Sequence, residues 1–216
     1  MKEPLIIPRI AIDIDDRASL DRTFAAVEAL PIGCNNWAEA YPYAPHVVFR
    51  MFHTGALLLL RFEVTEQYAA AAVVEDQGEV WTDSCVEFFL ALDHDGYYNF
   101  ETNCIGTMLL AFRRDHPSPT YASAAVMHAV QRLTSLDRAP LVEQQGVERW
   151  TLTLAIPPEA LFRHAVSSWS GLRARMNLYK CGDHLLHPHF LSWQPIVTPQ
   201  PDFHRPEFFT EVLFAE

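Results

Sequence analysis

Residues 81–103, WTDSCVEFFLALDHDGYYNFETN, decide how this chain is read. Two strand-like runs flank His94-Asp95-Gly96, and a glycine closing a three-residue hairpin loop suits the left-handed position such loops need. With Asp93 opposite Tyr97, the register places Glu87 against Asn103, Phe89 against Glu101 and Ala91 against Asn99. Side chains alternate along a strand. Val86, Phe88, Leu90, Phe100, Thr102 and Cys104 therefore share one mostly apolar face that should look into a core. Asp83, Glu87, Asn99, Glu101 and Asn103 share the other face, with Trp81 at its edge. A loop longer or shorter by one residue would set Glu and Asn against Val and Phe, which favours an odd loop length. Planar carboxylates and amides beside an aromatic plate suit a hydroxyl-rich ligand: the hydroxyls need paired acceptors and donors, and the C–H face of a sugar needs a flat apolar surface.

Outward from this hairpin, short strand signals dominate. Leu5–Ile14 reads as a first strand, and Asp21–Ala29 as one or two helical turns before Pro31. Val47–His53 and Ala56–Val64 form a second hairpin around Thr54-Gly55. Residues 65–80, with an alanine run, read as a long connection. Thr107–Phe112 is strand-like, His116–Thr120 is a proline-marked loop, and Ala124–Leu133 fits either a strand or a helix. Arg149–Ile156 and Gly171–Lys180 alternate cleanly as strands. Pro157–Phe162 opens a short helix, with proline allowed in its first turn. The tail from Pro188 is irregular until Glu211–Phe214. Many short strands separated by turn signals predict an all-β fold: one antiparallel β-sandwich, jelly-roll-like, over residues 1–216, with short helical connections.

Composition narrows the function. The 216 residues carry 16 Lys and Arg against 27 Asp and Glu, a formal charge of −11. That argues against nucleic acid or an anionic membrane as partner, since both need basic surface. The first residues lack a secretion-type apolar run, which points to the cytoplasm; a chain already trimmed of its leader, extracellular or periplasmic, would read the same. Cys34, Cys85, Cys104 and Cys181 form no CxxC pair, and Cys85 and Cys104 fall on opposite hairpin faces, so free thiols are expected.

The segments VWTDSCVEFFL (80–90), YYNFETNCIG (97–106), RMNLYKCGD (175–183) and HFLSWQPIVTPQPDFHRPEFF (189–209), together with WAEAYPYAP and RFEVTE, resemble the family 9 carbohydrate-binding modules, especially the stand-alone bacterial type, over nearly the whole chain. The resemblance implies a β-sandwich that clamps a terminal sugar between two tryptophans with acidic, amide and arginine partners, and that carries structural calcium. It matches the first tryptophan to Trp81, the acidic partner to Glu87 and the second tryptophan to Trp193 in LSWQP. Phe190 stands where known binders carry an amide before that second tryptophan. Arg173 and Arg175 are the arginine candidates, of which Arg175 is taken forward.

The expected ligand site is thus Trp81, Glu87, Asn99, Glu101, Asn103, Arg175 and Trp193. Each residue also has a plainer reading. Trp81 could cap the sandwich, and Glu87 could pair with Arg61 or Arg175. Trp37, Trp150 and Trp169 read as core. Cys181, His184, His187 and His189 are compact zinc-type donors but match no zinc spacing, and His204 reads as structural among Asp202, Arg205 and Glu207. Asp93 and Asp95 are the faint calcium candidates, though a hairpin turn explains them without a metal. No cofactor motif is present. Three functions stay open: non-catalytic carbohydrate binding, the leading one; a glycoside hydrolase or lyase using Glu87 and Glu101 as an acid–base pair; and a protein-interaction module on the same fold. Association with carbohydrate catabolism follows from the first two.

Overall fold

The computed structural model describes residues 3–114 and 118–216. In chain order its strands are β1 Leu5–Ile7, β2 Leu30–Pro31, β3 Cys34–Asn35, β4 His46–His53, β5 Leu58–Ala71, β6 Cys85–Ala91, β7 Tyr97–Asn103, β8 Met108–Arg113, β9 Pro119–Tyr121, β10 Gln131–Thr134, β11 Leu141–Ile156, β12 Arg173–Cys181, β13 Phe190–Ser192 and β14 Thr210–Phe214. Helix α1 spans Arg17–Ala26 and α2 Ala124–Ala129. Among the described residues no helix is long and apolar enough to cross a membrane.

The strands form two sheets. The larger runs β1-β14-β12-β6-β7-β8-β9, with β13 bridging β12 to β3; the smaller runs β10-β11-β5-β4-β2. Among the described residues every strand pairing is antiparallel except β1 with β14. This is the expected sandwich. Its interior takes Val86, Phe88, Leu90, Phe100 and Leu178 from the large sheet and Phe49, Leu60, Phe62, Trp150 and Leu152 from the small one. Trp150 and Trp169 are fully enclosed, and Trp37 is buried against the outer face of the large sheet.

Several boundaries differ from expectation, each for a physical reason. The first strand stops at Ile7, ahead of Pro8, which has no amide hydrogen to give to a ladder. The expected connection after Val64 is instead a continuation of β5 to Ala71, paired with β11 across two register shifts. Alanine has low strand preference, so this run is held by its partner strand and by burial of Ala69 and Ala71. Residues 124–133 divide into α2, capped by the Ser123 hydroxyl, and then β10. Of the proline-marked loop, His116 and Pro117 lie outside the described residues, whereas Pro119–Tyr121 is an edge strand on β8.

In the central hairpin Glu87 pairs with Glu101, Cys85 with Asn103 and Phe89 with Asn99. The ladder is displaced by two residues from the expected one, and the loop is 92–96. Two is the side-chain period, so every residue keeps its expected face. The longer loop is ordered by Asp93, whose carboxylate accepts from the Asp95 amide at 2.8 Å and lies 2.9 Å from His164 Nε2. Gly96 is required by close approach: a Cβ there would run into the Arg113 carbonyl on β8.

One polar group sits between the sheets. Lys180 of β12 points inward, with Nζ 3.0 Å from Glu66 Oε2 on β5, and both side chains are fully enclosed. Trp150 Nε1 donates to the other Glu66 oxygen at 2.7 Å. Lys180 also donates to the Cys181 carbonyl at 2.9 Å and lies 2.7 Å from His189 Nε2. Burial and the neighbouring ammonium push the His189 imidazole well below its ordinary pKa. It is therefore neutral, donating from Nδ1 to the His187 carbonyl at 3.0 Å and accepting from Lys180. Removing one member of such a pair strands the other's charge. Glu66→Ala is expected to lower stability by about 3–5 kcal/mol in urea unfolding, and Glu66→Leu combined with Lys180→Met to recover most of that loss.

Candidate functional site

The outer face of the large sheet carries a cleft of about 820 Å³. Its floor comes from adjacent strands: Glu87 of β6, Glu101 of β7, Arg113 of β8 and Cys181 of β12. Trp81 enters from the short 3₁₀ turn Val80–Thr82, Asp183 from the turn after β12, Phe190 from β13, Pro119 and Tyr121 from β9, and Pro201–His204 from the C-terminal segment. That segment roofs the rest of the face. Phe203 stacks on Tyr179 with ring centres 4.2 Å apart, Tyr179 donates to the Phe203 carbonyl at 3.2 Å, and Phe209 packs on Phe89 and Tyr97. Trp37 ties the segment down by donating to the Thr198 carbonyl at 2.9 Å.

Trp81 is half-buried and its backbone is fixed. Its carbonyl accepts from the Asp183 amide at 3.2 Å. Asp83, two residues on, accepts from the Ala72 and Val73 amides at 2.9 and 3.0 Å and from Asn103 Nδ2 at 2.9 Å. Asn103 therefore acts behind the cleft: it anchors the turn that presents Trp81, and its own oxygen accepts from the Thr107 amide. Asn99 is also one step removed. It donates to Glu101 Oε1 at 2.6 Å and accepts from Arg113 Nε at 3.3 Å, so it sets the distance between an acid and a cation on the floor.

Glu87 and Glu101 are direct cross-strand neighbours and are both about 3% exposed. Burial first, and then the charge of Glu101, hold the Glu87 carboxyl well above the usual carboxylate range. Burial raises Glu101 to about 7, against the pull of Asn99 and Arg113, and raises Asp183 to about 6. Like charges this close resist joint ionisation, so near neutral pH the pair holds at least part of a shared proton. The floor can then both donate and accept hydrogen bonds, which matches the dual character of sugar hydroxyls.

The other expected residues lie elsewhere. Trp193 does not line the cleft: its amide pairs with the Leu178 carbonyl at 2.9 Å, and its ring meets Phe49 edge-on at 5.4 Å, packed on the sandwich interior. Arg175 donates to the Pro206 and Asp93 carbonyls at 3.2 Å each and braces the hairpin loop. Arg61 bonds Asp21 and Thr153, so neither arginine neutralises Glu87. Both Asp93 oxygens are already engaged by Asp95 and His164, and a histidine in that position suits no oxygen cage, so the loop does not fit the six to eight oxygen ligands of calcium. His204 is within its expected polar cluster, with Asp202 accepting from its amide at 2.9 Å, yet its ring also lines the cleft, where Nδ1 meets the Tyr97 hydroxyl at 2.9 Å. Arg113 was within reach of sequence reasoning, because alternation from Leu109 and Ala111 puts it on the polar face. Asp183 and Phe203 carried no such signal, since the turn after β12 and the C-terminal segment bring them in, and Phe190, marked in the sequence only by its place before Trp193, arrives on β13.

The sequence profile of carbohydrate-binding family 9 matches residues 18–214. The chain belongs to carbohydrate-binding family 9. Within the family it is similar to a candidate carbohydrate-binding protein from Bacteroides uniformis, whose crystal structure shares 38% identity over 99% of both chains with a TM-score of 0.91. It also shares the fold of a family 9 module from Caldicellulosiruptor kristjanssonii. The glucose complex of that module matches with a TM-score of 0.61 at 11% identity over 99% of this chain and 96% of that one. Its cellotriose complex matches at 0.58 and 10%, over 99% and 94%. No curated relative matches the sequence.

The raised carboxyls of this family 9 protein have a measurable consequence. A carboxyl with a folded pKa above its unfolded value stabilises the fold below the unfolded value, and that contribution is lost as pH rises through the folded value. For Glu101 the window is from about 4.5 to about 7, and for Asp183 from about 3.8 to about 6. Thermal stability is expected to decline across about pH 4–7, and Glu101→Gln to flatten the upper part of that decline, as read by melting curves at fixed ionic strength.

Proposed function

We propose that this protein binds a carbohydrate, a monosaccharide or the end of an oligosaccharide, in the cleft floored by Glu87 and Glu101, and that it does so without catalysing a reaction. The observation that carries the reading is a half-buried tryptophan at the rim of a carboxylate floor, on the outer face of a family 9 sandwich. The sugar would stack its C–H face on Trp81, and its hydroxyls would meet Glu87, Glu101, Arg113 and Asp183. Phe190 and Phe203 supply further apolar surface. Stacking contributes affinity through burial, and the charged partners set orientation. The cleft falls within the size range of small-ligand sites. The relatives support the class of ligand: related modules are described in complex with glucose and cellotriose.

The second reading is a glycoside hydrolase, because such enzymes use a pair of carboxyls at the scissile bond and Glu87 and Glu101 are direct cross-strand neighbours.

Calorimetric titration with a panel of mono- and disaccharides tests the proposal. Trp81→Ala is expected to weaken binding by at least about 2 kcal/mol, roughly thirty-fold, while the melting temperature stays close to that of the parent. Trp193→Ala is expected to do the reverse, losing about 3 kcal/mol of stability and leaving the affinity of the folded fraction unchanged. Absence of heat with every sugar, or a Trp81→Ala variant that binds like the parent, would overturn the reading. Turnover of an aryl glycoside that disappears in Glu87→Gln would replace it with the hydrolase.

A further inference from the structure

Beneath the mouth of the cleft, Cys85 of β6 and Cys181 of β12 are directly paired residues of neighbouring strands. Glu87 lies two residues beyond Cys85 on the same face. One ligand atom from each of the three residues falls within 4.8 Å of the others, and all three are buried. Cys181 Sγ is 3.1 Å from Glu87 Oε1, and Asp183, two residues beyond Cys181, lines the same cleft. We propose that Cys85, Cys181 and Glu87 supply three ligands to one thiophilic divalent cation of the zinc type.

The geometry suits such an ion. Zinc–sulfur bonds of about 2.3 Å and zinc–oxygen bonds of about 2.1 Å place tetrahedral ligands about 3.5 Å from one another. The Cys181–Glu87 separation, 3.1 Å, is already at that scale, and with all three donors within 4.8 Å no pair needs to close by more than about 1.3 Å. Adjacent antiparallel strands hold the two sulfurs on a rigid support, so little ordering remains to be done on binding. Two sulfurs among the donors select zinc, cobalt or cadmium over calcium and magnesium, which prefer oxygen alone. Access is provided, since Cys181, Glu87 and Asp183 all line the cleft. Charge points the same way: Glu87 and Glu101 are directly paired across strands and Asp183 lines the same cleft, so a cation would offset their mutual repulsion. Because thiolates, not thiols, ligate the ion, its uptake would release a proton from each of the two cysteines to solvent. This set differs from the Cys181, His184, His187 and His189 group seen in the sequence, because His189 is committed to Lys180 on the other side of β12.

The test uses the whole chain, reduced and freed of metal by a chelator, with no sugar present, so it succeeds or fails independently of carbohydrate binding. Titration with Co²⁺ alone is expected to develop a sulfur-to-cobalt charge-transfer band that saturates at one equivalent and is displaced by Zn²⁺. Cys181→Ser should lose most of the band intensity and the one-to-one endpoint, while Cys34→Ser should titrate like the parent. Glu87→Gln keeps both sulfurs and serves if Cys181→Ser does not fold: the band should persist, with weaker competition by Zn²⁺. Two protected, metal-indifferent core thiols would show no band in the parent, and that result overturns the proposal. So does a band unchanged in Cys181→Ser, or one lost in Cys34→Ser.

Discussion

Everything in this molecule depends on the two-residue alternation of four neighbouring strands, β7, β6, β12 and β8. Each must present apolar side chains to the second sheet, and each is thereby left with an outer face whose chemistry is free to vary. The consequence is sharpest on β12, where consecutive residues serve opposite sides. Lys180 turns inward to close a buried ion pair with Glu66, and Cys181 turns outward to meet Glu87. A one-residue slip would exchange these roles and place a lysine in the cleft and a sulfur against a stranded carboxylate.

The outer face is not an open surface. Aromatic residues of the C-terminal segment cover most of it, Phe203 on Tyr179 and Phe209 on Phe89 and Tyr97, and what stays uncovered is the acidic end. Covering part of a sheet face lowers the local dielectric response around the remainder, which is why Glu87 and Glu101 sit so far from ordinary carboxylate behaviour. Behind them, Asn99 and Asn103 use their amides to hold the acids, the arginine and the tryptophan-bearing turn in place. Residues that look interchangeable in the sequence, four amides and carboxylates on one strand pair, are thus divided between contact and support.

Trp193 shows how local surroundings mislead. Ser192 and Gln194 make its neighbourhood look loop-like and wet, yet its amide joins β12 and its ring fills space over Phe49. Trp81, in an equally polar neighbourhood, keeps one side open because the turn that carries it is tied down from behind by Asp83. Arg175 alternates correctly onto the outer face of β12 but sits at the hairpin end, where backbone carbonyls are nearer than the cleft. For Arg175 the deciding quantity was distance along the sheet, which a face assignment does not contain; for the two tryptophans it was what packs behind the backbone that carries them.

The sequence by itself determined the fold class, the hairpin, and the division of its residues into a core face and a polar face, because hydrophobic periodicity is a local property that survives even a two-residue error in register. Only the tertiary structure decided which polar residues meet. The pairing of Glu87 with Glu101, the arrival of Arg113, Asp183 and Phe203 at the same cleft, and the packing of Trp193 against the edge of the core depend on strand order and loop closure. Those are set by the packing of segments far apart in the chain, and nothing in the neighbouring residues encodes them.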